Sequence, residues 1–324
     1  HLNKIQLNKL NMQISVVIPL YNEAESLPEL MAWIHRVMEA NAYAYEVIMI
    51  DDGSDDGSWD VISSLRNQYP QLKGIKFQRN YGKSAALNEG FKAAQGDMVM
   101  TMDADLQDSP DEIPEFYTMI MDQGYHLVSG WKKKRFDNTF TKNIPSKLYN
   151  TVASKSSGIH LHDFNCGIKA YQLKVVKSIE VFGEMHRYIP ILAKWAGFKR
   201  IGEKIVQHQA RKYGHTKFGW ERFVNGFLDL LTIQFLSKFG KKPMQFFGLI
   251  GTLFFIVGFV SVFYIIVAKF IDPDSSITNK PAFFIALTSM IIGTQLFLAG
   301  FIAEIMNRNA ADRNVYLIEE KQGW

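Results

Sequence analysis

In "TMDADLQDSPDE", residues 101–112, the aspartates Asp103, Asp105 and Asp108 follow directly on a run of apolar residues. Like charges so close repel one another unless something positive sits among them. A capped turn accounts for part of the pattern, because Ser109, Pro110 and Glu112 fit Ser-x-x-Glu with proline at the first helical position. It leaves Asp103 and Asp105 unexplained. Two apart on an extended segment, their side chains project to one side. Hard carboxylate oxygens there suit Mg²⁺ or Mn²⁺ held together with substrate phosphates. A second acidic group, "IDDGSDDGS", ends an earlier apolar run at Asp51 and Asp52, with Gly53 permitting a tight turn.

Such side chains need a scaffold that brings them together. "ISVVIPL", "YEVIMID", "GIKFQ" and "DMVMTMD" are short, continuous apolar runs suited to strands buried on both faces. Helical patterns between them begin near Ser26, Ser58, Lys83 and Pro110. The alternation predicts an α/β fold with a parallel sheet covered on both sides. Ligands of such sheets bind beyond the carboxyl ends of the strands. Those ends read "PLYNE", "IDDGSDDG", "QRNYGK" and "MDADLQD", so polar and acidic residues converge on one edge.

Composition sets the surroundings. The chain has 324 residues, 47% hydrophobic and 21% charged, with a formal net charge of +4. That excess is too small to argue for nucleic acid, and its basic residues cluster at 132–135, 199–217 and 238–242. The single cysteine, Cys166, excludes an internal disulfide and fits a reducing compartment. Residues 246–268 and 282–303 carry no charge. At ~1.5 Å per residue each spans the ~30 Å hydrocarbon core of a bilayer, which predicts two transmembrane helices. Lys238, Lys241 and Lys242 precede the first, and Arg308 and Arg313 follow the second. The positive-inside rule then places both ends, and the large N-terminal portion, in the cytoplasm. Residues 218–240 carry a polar stripe of Glu221, Asn225, Asp229 and Thr232 opposite Phe223, Phe227 and Leu230, as an interfacial helix does. The opening "HLNKIQLNKLNM" is polar and reads as an extension, with no secretory signal.

In this order and spacing "VVIPLYNE", "IDDGSDDGS" and "DADLQDSP" resemble the inverting family 2 glycosyltransferases. The further run "SGWKKKR", "IPSKLYN", "DFNCGIKAY" and "HRYIP", ending in two apolar spans, is similar to the polyprenyl-phosphate glycosyltransferases, such as the dolichyl-phosphate mannose synthases and bacterial GtrB-type enzymes. The resemblance covers about residues 13–306. It implies a nucleotide-sugar-binding GT-A, Rossmann-like domain at 13–217, after an extension at 1–12. Juxtamembrane helices at 218–243, a two-helix membrane domain at 244–306 and a cytoplasmic tail at 307–324 would follow.

The implied activity is transfer of one sugar, with inversion, from a nucleotide sugar to a polyprenyl phosphate such as undecaprenyl phosphate, at the cytoplasmic face of the inner membrane. The donor would be UDP-linked, for example UDP-glucose, with GDP as the alternative. By the same resemblance Asp103, Asp105 and Gln107 are the metal and diphosphate group. Pro19, Tyr21, Glu23, Asp51, Asp52, Lys83, Asp103 and Ala104 form the nucleotide pocket. Asp163 and Asp105 are the catalytic pair, with Asp163 as base. An acceptor phosphate has a second pKa near 6 and is largely ionised at neutral pH, so charge or orientation is an alternative role for Asp163. Lys132, Arg135, Ser146, Lys147, Arg187, Arg211 and Lys217 would meet the phosphates. In "RKYGHTKFG" Thr216 stands where the family more often has serine, and keeps the hydroxyl. Relatives of this kind also imply a homo-oligomer, a tetramer.

Rival chemistries lack their residues. The eight histidines show no zinc-ligand spacing. No glycine-rich loop leads into Lys-Ser or Lys-Thr, which excludes an ATPase of the phosphate-loop type. A processive polysaccharide synthase would need a Gln-x-x-Arg-Trp element and more spans. A receiver-like domain would not continue into a basic second half and two spans. A non-catalytic membrane scaffold is separated from an enzyme only by turnover.

Overall fold

The structure, a computed structural model, describes residues 12–133, 154, 157–183, 185–209, 212, 235, 239, 242–271, 277 and 280–308. The chain divides into two compact units, His1–Leu230 and Leu231–Trp324.

The first unit is built on a seven-stranded sheet of order β3-β2-β1-β4-β6-β5-β7. Its strands are β1 (Ile14–Leu20), β2 (Tyr45–Asp51), β3 (Leu72–Lys76), β4 (Met98–Thr101), β5 (Leu127–Trp131), β6 (Lys169–Gln172) and β7 (Ile201–Ile205). The helices between the first four are α1 (Leu27–Ala40), α2 (Ser58–Gln68) and α3 (Lys83–Ala93), and α4 (Ile113–Tyr117) follows β4. β1 to β4 pair in parallel, as their apolar runs predict. The whole sheet is mixed, however: β6 runs antiparallel to both β4 and β5. No local pattern reveals β6, which lies beyond the four predicted strands and pairs across a long stretch of sequence. Fully buried side chains, Val16 and Ile18 of β1 and Val47 and Met49 of β2 among them, pack against Leu30, Met31 and Ile34 of α1.

Register sets the site. Leu20 lies opposite Asp51 and Val17 opposite Thr101, so the segment after β4 runs beside the end of β1. β4 stops at Thr101, and Ala104–Leu106 form a turn with Leu106 at φ +60°. Asp103 and Asp105 therefore do not share an extended strand: the Asp105 residue is 7% exposed, while the Asp103 side chain is 32% exposed. Pro110 opens a short 3-10 turn, with Ser109 Oγ accepting from Asp111 N, as the sequence predicts. Glu112 does not complete a capping box. It accepts from Lys204 Nζ and from Gln207 N at 2.9 Å, joining this turn to the end of β7.

In the second unit α7 (Pro243–Ile271) and α8 (Pro281–Arg308) are longer than the uncharged runs alone; two further short helices, α5 (Leu173–Val176) and α6 (Ile189–Trp195), belong to the first unit. Only 17% and 11% of the most apolar stretches of α7 and α8 are buried, unlike core helices of a soluble domain. Phe254, Val257, Tyr264 and Phe301 face outward, a surface suited to lipid. The pair packs along a glycine seam. A Cβ on Gly251 would lie 2.6 Å from Gly293 O, one on Gly293 2.6 Å from Gly251 O, and one on Gly258 2.6 Å from Ala286 O. Small residues let helix backbones meet where lipid supplies no hydrophobic drive for association. Ser289 Oγ adds a hydrogen bond to Phe254 O at 2.9 Å. Gly293→Leu is expected to separate the helices and lower the melting temperature in detergent; an unchanged transition would refute the seam. The amphipathic stretch at 218–240 falls almost wholly outside the described residues.

Candidate active site

The loops after β1 and β2 are tied together by hydrogen bonds of their own. Asn22, at φ +56°, donates from Nδ2 to Asp55 Oδ1 at 2.7 Å and accepts from Asp55 N at 3.0 Å. Ala24 N donates to Asp56 Oδ2 at 3.0 Å, and Glu23 N to Ser58 Oγ at 3.1 Å. The second aspartate pair of "DDGSDDGS" is thus a latch between loops. Gly53, at φ +76°, lies so close to the following loop that a Cβ would sit 2.6 Å from the Arg79 carbonyl carbon.

The first pair divides its work. Asp51 is fully buried, and one carboxylate oxygen accepts from Ser54 N at 2.8 Å. Its Oδ2 has no hydrogen-bond partner among the described residues. A buried, unsatisfied acceptor is costly, and a nucleoside N–H or hydroxyl would satisfy it. Asp52 accepts from Tyr81 N at 2.7 Å and Gly82 N at 2.9 Å, fixing the entry to α3. Burial raises its pKa, and those two hydrogen bonds oppose the rise. Its carboxylate thus holds backbone, and a nucleotide role would be added to that.

One pocket gathers Pro19, Lys83 and Asp103 with Asn165, Lys169 and His186. Lys83 Nζ, at the first position of α3, bonds to Asp103 Oδ1. Burial pushes the Asp103 pKa upward, but Lys83, Lys132 and Lys169 outweigh it and hold it at about 2. Gly167 lies against this carboxylate; a Cβ there would be 2.3 Å from Asp103 Oδ2. Thr101 Oγ1 holds Gly167 in place by donating to its carbonyl at 2.9 Å. Lys169 is 3% exposed and bonds to Cys166 O, and burial lowers its pKa. Burial also pushes the Cys166 thiol up to about 12, so it is no nucleophile. His186 sits beside Ser84, with Nδ1 3.1 Å from Ser84 Oγ; burial first, then Lys83 and Arg187, depress its pKa well below the ordinary value and keep it neutral.

Lys132 lies 2.7 Å from Asp108 Oδ1, and the pair is nearly sealed from solvent. Burial would lower the lysine pKa, yet the Asp108 charge raises it above its usual value. Asp163, 2% exposed, accepts from Asn165 N at 3.1 Å and so orients a residue of the pocket wall. Glu203 holds that loop by accepting from His162 N at 2.8 Å and Asp163 N at 3.2 Å. Asp105 accepts from Gln107 N at 3.2 Å, and Gln107 O from Gln209 N at 3.0 Å. Tyr21 and Glu23 are half-buried in the β1 loop, Ala104 is buried, and Arg187 lies on the turn before α6. Arg135, Ser146, Lys147, Arg211 and Lys217 lie outside the described residues.

No three His, Cys, Asp or Glu side chains among the described residues form a metal-holding group. Asp103, ionised and reachable from solvent, could still supply one hard oxygen ligand, with Asp105 beside it in the turn. That donor set fits Mg²⁺ or Mn²⁺, which take one or two carboxylates and fill the shell with phosphates and water. Sequence reasoning missed Gly167, Lys169, Ser84 and His186. Gly167 and Lys169 lie within "DFNCGIKAY" and His186 opens "HRYIP", both motifs of the resemblance, and the lysine inside the otherwise apolar "GIKAY" was a further signal.

The family model for glycosyl transferase family 2 matches residues 15–180. The chain belongs to that family. This family 2 chain is 31% identical over 300 residues, 92% of its length and 88% of the relative's, to the dodecaprenyl-phosphate galacturonate synthase of Rhizobium johnstonii. It is 34% identical over 301 residues, 92% and 90% of the two chains, to the undecaprenyl-phosphate 4-deoxy-4-formamido-L-arabinose transferase of Aeromonas hydrophila. Among solved structures, the mannosyltransferase of Pyrobaculum calidifontis in complex with GDP-Man and Mn²⁺ matches 94% of this chain and 77% of its own, at TM-score 0.51 and 18% identity. Glucosyl-3-phosphoglycerate synthase of Mycobacterium tuberculosis with UDP matches 73% and 84%, at TM-score 0.53 and 17% identity. These likenesses support the GT-A fold.

Proposed function

We propose that this chain transfers a single sugar from a nucleotide sugar to a polyprenyl phosphate, with inversion, at the cytoplasmic face of a membrane. The observation that carries the reading is one chain combining a pocket at the ends of β1 and β4, lined by Asp103, Lys83 and Lys169, with two lipid-suited helices. The full-length likeness to relatives named for polyprenyl-phosphate substrates supports it. Those relatives are named for galacturonate and for 4-deoxy-4-formamido-L-arabinose, so glucose has no special support from them.

The residues divide the work. Asp51 receives the nucleoside through its unpaired oxygen, and Lys83 meets the diphosphate. Asp103 and Asp105 hold Mg²⁺ or Mn²⁺, which neutralises charge as the diphosphate leaves. The acceptor phosphate is already an anion above pH ~6, so a single in-line displacement needs little proton removal. Asp163 acts by charge and by positioning Asn165. Lys132 supplies a fixed positive charge near the leaving group.

Incubating purified protein with undecaprenyl phosphate and UDP-glucose, a UDP-uronate, a UDP-formamidopentose or GDP-mannose should give a lipid-linked sugar from one donor. No product from any donor would refute the reading. For the topology, Ser275→Cys is expected to react with an impermeant thiol reagent outside the cell, and Asn314→Cys to be protected; the reverse pattern would overturn it. Asp163→Asn separates base from orienting group. A general base is worth about 10²–10⁴-fold, so either result is measurable. A positioning charge predicts a loss that stays constant above pH 7. A deficit that vanishes by pH 8.5, as the acceptor ionises unaided, would assign Asp163 as the base.

A further inference from the structure

Asp103 already has a cation. Lys83 Nζ occupies Oδ1, and both side chains are about a third exposed, 35% and 32%, so the pair faces the open pocket. Deeper in, Lys132 and Lys169 add positive charge around the same carboxylate. Lys132 is held by Asp108 and Lys169 by the Cys166 carbonyl, so neither is placed to leave. Lys83 is different. Its backbone is pinned on both sides: Asp52 binds the N–H groups of Tyr81 and Gly82, and Ser84 Oγ accepts from His186 N at 3.0 Å. Only its flexible four-carbon stem remains to move, and that can carry the ammonium without any backbone change.

A bare divalent cation entering here must displace Lys83 and approach two further ammonium groups. A diphosphate reverses the sign of the pocket and offers Lys83 new oxygen partners. We propose that Lys83 blocks Asp103 against metal until a nucleoside diphosphate draws the ammonium away, so that metal and diphosphate bind strongly together and weakly apart. The proposal rests on the nucleotide-site reading above. Linkage makes the effect reciprocal: whatever factor the nucleotide adds to metal affinity, the metal adds to nucleotide affinity.

The test is Mn²⁺ titration of the full-length protein, followed by the electron paramagnetic resonance of free Mn²⁺, with and without UDP. Wild type should bind Mn²⁺ weakly alone and at least about tenfold more tightly with UDP, within the usual range of coupling between sites. Lys83→Met should bind Mn²⁺ alone about tenfold more tightly than wild type, with the UDP effect correspondingly reduced. Lys83→Arg keeps the charge and should retain weak binding. Adding Asp103→Asn to Lys83→Met should remove the new affinity, which locates it. Tight Mn²⁺ binding by wild type without UDP overturns the proposal even if Lys83→Met does not fold. Equal affinities for Lys83→Met and wild type overturn it as well. Failure of the nucleotide reading is distinct: UDP would then not bind wild type at any Mn²⁺ concentration, while the comparison with metal alone still reads Lys83.

Discussion

Asp103→Asn will reduce sugar transfer by roughly 10³-fold, the scale expected when a group stabilising charge on the leaving group is lost. The substitution keeps the shape of the side chain and removes its charge, so Lys83 loses its ionic partner and, on the proposed reading, a bound cation would lose an anionic oxygen ligand. The change is not expected to unfold the protein, because the ion pair is partly solvated and such pairs contribute little to stability. Lys83, Lys132 and Lys169 hold Asp103 at about 2. Its ionisation is therefore complete above about pH 4, and it adds no inflection to the wild-type rate between pH 5 and 9. Radiolabelled sugar transfer, measured beside a thermal melt, checks both parts. Activity within tenfold of wild type would remove Asp103 from the reaction centre.

Gly167→Ala is expected to cost about 10²-fold in turnover, although it adds one methyl group and removes no functional atom. That is the scale of loss when a reacting geometry shifts by about 1 Å. The new Cβ would sit 2.3 Å from Asp103 Oδ2 and 2.6 Å from its Cγ, far inside contact distance. Asp103 or the β6 approach must move. Thr101 and the β4–β6 pairing fix the β6 side, so the carboxylate is displaced. Steady-state turnover of the purified variant at saturating substrates reads the effect; wild-type turnover would mean that Asp103 tolerates displacement.

How much was legible beforehand depended on whether the signal was local. β1 and β2 coincide with "ISVVIPL" and "YEVIMID" because buried parallel strands are continuous apolar runs. α2 and α3 start at Ser58 and Lys83 as the sequence predicts. β6 was not legible: it is short, starts with Lys169, and its direction is set by pairing Met98–Thr101 with residues some seventy positions away. The acidic loops were found, but sequence alone could not sort their carboxylates. Asp51 keeps an unpaired oxygen, Asp52 is committed to the backbone of α3, and Asp55 and Asp56 tie loops together. All four look alike in "DDGSDDGS". Gly167 was invisible for the same reason, since its requirement arises only when "NCG" meets Asp103 in space.

Within the sheet, β6 is also a joint between exchangeable parts. Residues 14–101 complete four parallel strands, and among the described strands β5 and β7 join them in the sheet through the β4–β6 ladder. The register of β1 to β4 is thus set within residues 14–101, whereas residues 163–167, just before β6, are tied to the carboxylate of Asp103 and are not free to change. Descent with modification can vary one side of that joint while the other is inherited intact, provided that Gly167 keeps its place against Asp103.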